Sequence, residues 1–384
     1  MARAQSLATW RRSAVIAIWA LVWLIVIDVG VNVAFGEGTL ARQPSALGRY
    51  FEYGRSIEGK LTRMVAADPN NGGQMLSTGW IDHEYLSARP ARALAGHDML
   101  MAVYGQSFAL NAAHEAARGD SRITIRGIGG PGAPPSHSYA AYKQDAPLRK
   151  ADVVVFGVLS STVPLMGSLS GLVWMFESPA PYTFPRYRVS ADQLTEELPV
   201  IRSEAEFRQA FSQRSAKWRE FKEQLRRSDR GYDRFTFDAS LADASSVVRM
   251  VRRGWVAHAQ PYTDGVYDPV TGFNADAEEV HALRKLLVDL RQRTCERGER
   301  LIVLLLHTRG QSDHLHRALE GTLKQAKVDY ISTSAIFSAN DPKNFRPDSH
   351  YIDSANTALS EALVALVRDG KSVVPSKECN AKAR

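Results

Sequence analysis

Two short segments at opposite ends of the chain hold the residue types that acyl chemistry needs. Ser107 lies in Val103-Tyr104-Gly105-Gln106-Ser107-Phe108-Ala109, where an apolar run meets a Gly-x-Ser turn and a helical pattern follows from Phe108 to Arg118. A serine on a strand-to-helix turn stands among the unpaired N–H groups of a helix N-terminus, which favour negative charge. Chemistry that creates an oxyanion benefits from that placement. A serine hydroxyl is a poor nucleophile at neutral pH and needs a base within hydrogen-bond reach. His350, in Arg346-Pro347-Asp348-Ser349-His350-Tyr351, can be that base. Asp348, two residues earlier, can fix the imidazole tautomer and stabilise the imidazolium. Each segment also has a plainer reading: Gly-x-Ser is a common turn, and Asp348 or Ser349 can simply cap the helix that follows.

The elements that must position these residues follow an alternating pattern. Strands are predicted at Asp98–Tyr104, Arg122–Arg126, Asp152–Leu159, Arg300–His307 and Asp329–Ser332. Helices are predicted after the serine turn, at Ser136–Gln144, Ala275–Arg297, Ser312–Gln325 and Ile352–Val367. In the last of these, Ala355, Leu359, Ala362, Leu363 and Leu366 share one face. Such alternation predicts an α/β fold with a parallel sheet and helices on both faces. Residues 160–262 break the alternation. Their first part, Thr162 to Tyr187, is rich in Pro, Gly, Ser and aromatics including Trp174. Those aromatics either line a sugar-binding cleft or fill the core of an insertion. Glu204–Arg227 and Ala239–Val256 read as amphipathic helices within it.

Gly105-Gln106-Ser107-Phe108 resembles the Gly-Asp-Ser-Leu block of the SGNH (GDSL-type) hydrolase superfamily. Asp348-Ser349-His350 resembles its C-terminal Asp/His block, in the spacing of the branch that acetylates alginate and other exopolysaccharides. The resemblance covers roughly residues 96–370, with the two end blocks matching best. It implies a flavodoxin-like three-layer α/β/α sandwich with Ser107, His350 and Asp348 as a catalytic triad. It implies an oxyanion hole made by the Ser107 N–H and by Gly129 or Gly130, and no cofactor. The implied activity is acyl-ester hydrolysis or O-acetyl transfer on an exopolysaccharide or cell-envelope glycan. A membrane acyltransferase or polysaccharide assembly proteins are the implied partners.

One family block departs from the pattern. Where Gly-x-Asn would place an oxyanion-hole asparagine, the chain reads Gly157-Val158-Leu159-Ser160-Ser161. Ser160 and Ser161 are the nearest replacement donors. The departure leaves open a non-catalytic glycan-binding or assembly role on the same scaffold. Further candidates for substrate contact are His137, which is also a reserve base, His307 at a predicted strand end, which otherwise reads as a structural histidine, and Trp174. No Cys/His metal-ligand spacing is present.

The chain has 384 residues, 45% of them apolar, enough for one large α/β domain with an insertion. The net charge of +7 comes from dispersed basic residues. No basic–aromatic nucleic-acid module is present, and the charge suits an anionic polysaccharide and a membrane surface equally. The N-terminus is more informative. Residues 13–35 form an apolar run interrupted by Asp28 and Asn32 and preceded by Arg3, Arg11 and Arg12. About 20 apolar residues span a bilayer as a helix, and flanking arginines favour a cytoplasmic N-terminus. The expected organisation is a cytoplasmic segment 1–12, an anchor 13–35, a linker and helical extension 36–95, an extracytoplasmic α/β domain 96–370 with its insertion at about 160–262, and a tail 371–384. A cleaved signal peptide ending near Ala34-Phe35-Gly36 is the rival reading of the anchor. Cys295 and Cys379 either form one disulfide or remain two unrelated thiols.

Overall fold

Five short runs rich in aliphatic residues supply the central sheet: β1 (Met99–Gly105), β2 (Ile123–Gly129), β3 (Val153–Leu159), β4 (Arg300–Leu306) and β5 (Asp329–Ser332). The computed structural model describes residues 2–35, 46–66, 75–259 and 262–369. The longer helices are α1 (Ala2–Phe35), α2 (Ala46–Tyr53), α3 (Ile57–Ala66), α4 (Ser107–Gly119), α5 (Pro135–Asp145), α6 (Glu204–Ser212), α7 (Ala216–Ser228), α8 (Ser246–His258), α9 (Glu278–Glu296), α10 (His314–Gln325) and α11 (Asp353–Arg368).

All neighbouring strands of the sheet are parallel, in the order β2-β1-β3-β4-β5. A parallel sheet is buried on both faces, so its strands carry apolar residues on both sides. Met101, Val103, Val155, Ile302 and Leu304 pack against an alanine stripe of α4 (Ala109, Ala112, Ala113, Ala116) and against Leu359 and Leu363 of α11. Tyr104, Val154, Phe156, Val303 and Leu305 face the other way, onto α5, α9 and α10. On that face Arg126 of β2 is fully buried and paired with Asp145 of α5 at 2.9 Å.

The N-terminal extension and the insertion share a second apolar cluster. Ile57 and Leu61 of α3 and Trp80 pack with Leu172, Tyr182 and Phe184, with Phe207 and Phe211 of α6, and with Trp218 and Phe221 of α7. The predicted single helix Glu204–Arg227 is two helices here. Arg214 sits at φ +48, and the Ser215 side chain accepts a bond from the Trp218 N–H to start α7 afresh. The break lets two aromatic faces meet one core. The insertion also carries an antiparallel hairpin, Arg186–Ser190 with Gln193–Glu197.

Within α1, Arg12–Ala34 has a mean hydropathy of 2.6 and no buried residues, so it is long and apolar enough to cross a membrane. Cys295 is buried and disulfide-bonded. Cys379, the rest of the expected tail, Gly36 and most of the expected linker lie outside the described residues.

Candidate active site

Strand order reverses direction at β1, whose neighbours are β2 on one side and β3 on the other. In open parallel sheets the crevice beyond the strand C-termini at such a point is where ligands bind. Ser107 stands there. β1 ends at Gly105, Gln106 is extended (φ −108, ψ −176), and Ser107 is the first residue of α4. The Gln106 carbonyl accepts the Leu110 N–H at 3.1 Å, which closes the first helical turn. The Gln106 side chain is buried beneath the turn with no hydrogen-bond partner.

Three glycines let the backbones converge around this turn. Gly105 and Gly129 are register partners in β1 and β2. A Cβ on Gly129 would stand 2.0 Å from the Gly105 oxygen, and one on Gly157 of β3 would stand 2.5 Å from the Ala109 Cβ. Only glycine permits this approach without displacing a strand or α4.

The loop before α11 brings the imidazole from 243 residues away. Phe345 and Tyr351 pair in a short antiparallel bridge, the Arg346 N–H donates to the His350 oxygen at 2.7 Å, and Ser349 takes φ +70 to close the turn. The Tyr351 ring is buried against Phe108, Phe337 and Phe345, and its hydroxyl donates to the His307 carbonyl at 2.8 Å. The neighbouring His350 is therefore delivered to Ser107 with little freedom. Its ring stacks on Phe108, with centroids 4.8 Å apart and planes at 19°.

His350 Nε2 lies 2.7 Å from Ser107 Oγ, and His350 Nδ1 lies 3.2 Å from Asp348 Oδ2. The other carboxylate oxygen of Asp348 accepts the His350 backbone N–H at 3.1 Å. That backbone bond, with the attraction of the imidazole, holds the Asp348 carboxyl below its ordinary range. With Nδ1–H directed at Asp348, Nε2 is free to accept the Ser107 proton. Asp348 is the exposed end of the relay, at 65% side-chain exposure against 32% for His350.

Other sequence-predicted residues are placed differently. His137 is fully buried in α5, with Nε2 on the Gly79 carbonyl at 2.7 Å and aromatic neighbours Tyr182 and Phe184. Burial lowers its pKa to about 4, and it does not join the Ser107 group. His307 is also buried and lowered to about 4 by burial; it bonds Thr333 at 3.0 Å and supports Tyr351 through its carbonyl. The reserve-base position of His137 is thus corrected to the interior, and His307 takes its structural reading in place of the substrate-facing one. Ser160 is buried and ties β3 to β4: its Oγ accepts the Thr308 N–H at 2.8 Å. Ser161 bonds the Thr308 hydroxyl at 3.0 Å, so both serines already have partners in the fold. Trp174 covers Gly132 and packs on Tyr182, at the wall of an apolar cavity of about 300 Å³ in the insertion.

Gly129 and Gly130 follow the close approach of β2 to the serine turn. The Gly129 N–H points to the Tyr85 hydroxyl at 3.4 Å, and Gly130 is buried near Gly79. Tyr85 carries no local signal in the sequence, being 44 residues from its partner. Phe108 and Tyr351 were visible only as apolar neighbours of the motif residues. Among the described residues no three His, Cys, Asp or Glu side chains gather to hold a metal ion. No family model matches the chain, and no curated protein is significantly similar to it.

Proposed function

We propose that this chain is a membrane-anchored serine esterase or O-acyltransferase of SGNH type, with a flavodoxin-like α/β/α sandwich, acting outside the cytoplasm on an acylated glycan. The reading is carried by one observation: Ser107 Oγ, His350 and Asp348 form a continuous relay, with 2.7 Å and 3.2 Å between successive members. Ser107 Oγ attacks the acyl carbonyl carbon while His350 Nε2 takes its proton. The carbonyl oxygen becomes an oxyanion in front of the Ser107 N–H at the α4 N-terminus, with Gly130 as the second backbone donor, since the Gly129 N–H is directed at the Tyr85 hydroxyl. Collapse breaks the ester bond, and His350 returns the proton to the leaving alkoxide. Water or a sugar hydroxyl then takes the acyl group from Ser107, giving hydrolysis or transfer. Exopolysaccharide or envelope glycan is the substrate class that the sequence resemblance favours, and a membrane acyltransferase or a polysaccharide assembly protein is the partner it implies.

A second reading has its own support. Leu159 occupies the place of the family's asparagine, and Ser160 and Ser161 are engaged with Thr308. Losing one oxyanion donor costs about 10²–10³ in rate, so a glycan-binding protein without turnover fits this feature. A fluorophosphonate probe separates the two. The enzyme reading expects labelling of the wild-type protein that disappears in Ser107→Ala. A wild-type protein that stays unlabelled at high probe concentration, yet retains glycan, supports the binding reading.

A further inference from the structure

We propose that α8 is an interfacial helix, lying along the headgroup–acyl boundary of the same bilayer that α1 crosses. This rests on reading α1 as a membrane span. The partner is lipid, and three independent features of the fold point to it.

The burial pattern of α8 is inverted. Its buried residues are polar: Ser246, Arg249 and Arg252. Apart from His258 at its C-terminal end, its exposed residues carry no polar side chain, and the large ones are Met250 at 48%, Val251 at 55% and Trp255 at 53% exposure. Val247, Met250, Val251, Gly254 and Trp255 recur at three- and four-residue intervals, which places them on one stripe. A helix on a water-facing surface shows the opposite arrangement. The inward arginines are satisfied internally: Arg249 Nε donates to the Asp243 oxygen at 2.6 Å, and Arg252 Nη1 to the Asp243 carboxylate at 2.6 Å.

The membrane-crossing helix is docked on the start of α8. Asp28 Oδ1 accepts the Val247 N–H at 3.0 Å, and Asn32 Oδ1 accepts the Ser246 hydroxyl at 3.0 Å. Asn32 Nδ2 in turn donates to the Asp28 carbonyl at 2.9 Å. The two polar residues that interrupt the apolar run are thus used to cap α8, where a carboxylate meets the positive end of the helix dipole. They fix the start of α8 at the end of the span.

The surroundings have the composition of a membrane interface. Tyr50 is exposed, and the Arg253 guanidinium lies 4.2 Å from the Tyr50 ring centroid and 5.4 Å from that of Tyr53. Leu241, just before α8, is 97% exposed. Trp, Tyr and Arg with protruding aliphatics are the residues that settle at headgroup depth.

The test uses the full chain in nanodiscs of phosphatidylcholine and phosphatidylglycerol. The photoreactive residue benzoylphenylalanine replaces Val251, Leu21 of the span, or Val288, an exposed position on α9. After irradiation, adducts are identified by mass spectrometry. Lipid adducts at Val251 and Leu21, with none at Val288, are expected. Lipid adducts at Leu21 with none at Val251 overturn the proposal and leave the span intact, as do adducts from Val251 to a second copy of the chain. No lipid adduct at Leu21 removes the span and the proposal together.

Discussion

His350 is restrained from several directions, and the restraints differ in strength. Phe108 stacks beneath the ring, buried Tyr351 fixes the backbone, and exposed Asp348 holds Nδ1. Ser107→Ala removes the oxygen that fluorophosphonate labels and should abolish labelling, and His350→Ala removes the base and should slow it by about 10⁶. Asp348→Ala should cost about 10⁴ or less, because stacking and the loop still orient the ring. Equal losses for His350→Ala and Asp348→Ala would mean that the carboxylate alone orients His350. Tyr351→Phe deletes a buried hydroxyl bond and should cost about 1 kcal/mol in stability, read from the urea midpoint. The three relay residues were legible in the sequence because each motif is local: a Gly-x-Ser turn and an Asp-x-His loop. The other candidates, His137 and His307, sit at strand or loop ends where a histidine suits solvent and interior equally. Only tertiary packing decides between those environments, and here Tyr182, Phe184 and Thr333 close over them.

At the scale of elements, the contact between α4 and the sheet sets where Ser107 stands. Alanines on α4 and glycines in β1 and β3 let helix and sheet approach closely, and Ser107 is the first residue of that helix. Gly157→Ala places a methyl group 2.5 Å from the Ala109 Cβ, so α4 must lift away. Overpacking of this kind costs about 1–3 kcal/mol. A lower urea midpoint and slower probe labelling are expected together. Gly119→Ala, at the far end of α4 with nothing within 4 Å of the new Cβ, should change neither by a comparable amount. The sheet itself was legible as aliphatic runs, and β5 at Asp329–Ser332 has the expected boundaries. β2 runs three residues past its expected end, to Gly129, because Ile128 and Gly129 still find partners in β1. The insertion was legible only as irregular. Its aromatics pack with α3 and Trp80 from a distant part of the chain, a contact that no local period encodes.

Across the whole molecule, two buried histidines and a buried lysine each make stability rise with pH, in separate windows. His137 joins the two apolar clusters, and His307 underlies the loop that carries His350. Burial lowers both to about 4, against about 6.5 in an unfolded chain. Between those values the unfolded state binds more protons, so stability falls as pH drops from about 6.5 towards 4. Each ring contributes at most about 1.4 kcal/mol per pH unit in that window. Lys60 of α3 acts on the alkaline side. Burial lowers it to about 7, with its ammonium over the Phe176 ring and bonded to the Phe176 carbonyl. The unfolded chain holds that proton up to about 10.4, so stability rises with pH from about 7 towards that value. Urea midpoints of the full-length protein should therefore climb from pH 4.5 to pH 6.5 and rise again above pH 7. His137→Gln should remove about half of the acid slope, leaving the His307 share, and Lys60→Met should flatten the alkaline segment, each leaving the other window in place. An acid slope unchanged by His137→Gln would mean that this ring opens to water and protonates without unfolding, which its enclosure by Tyr182 and Phe184 forbids.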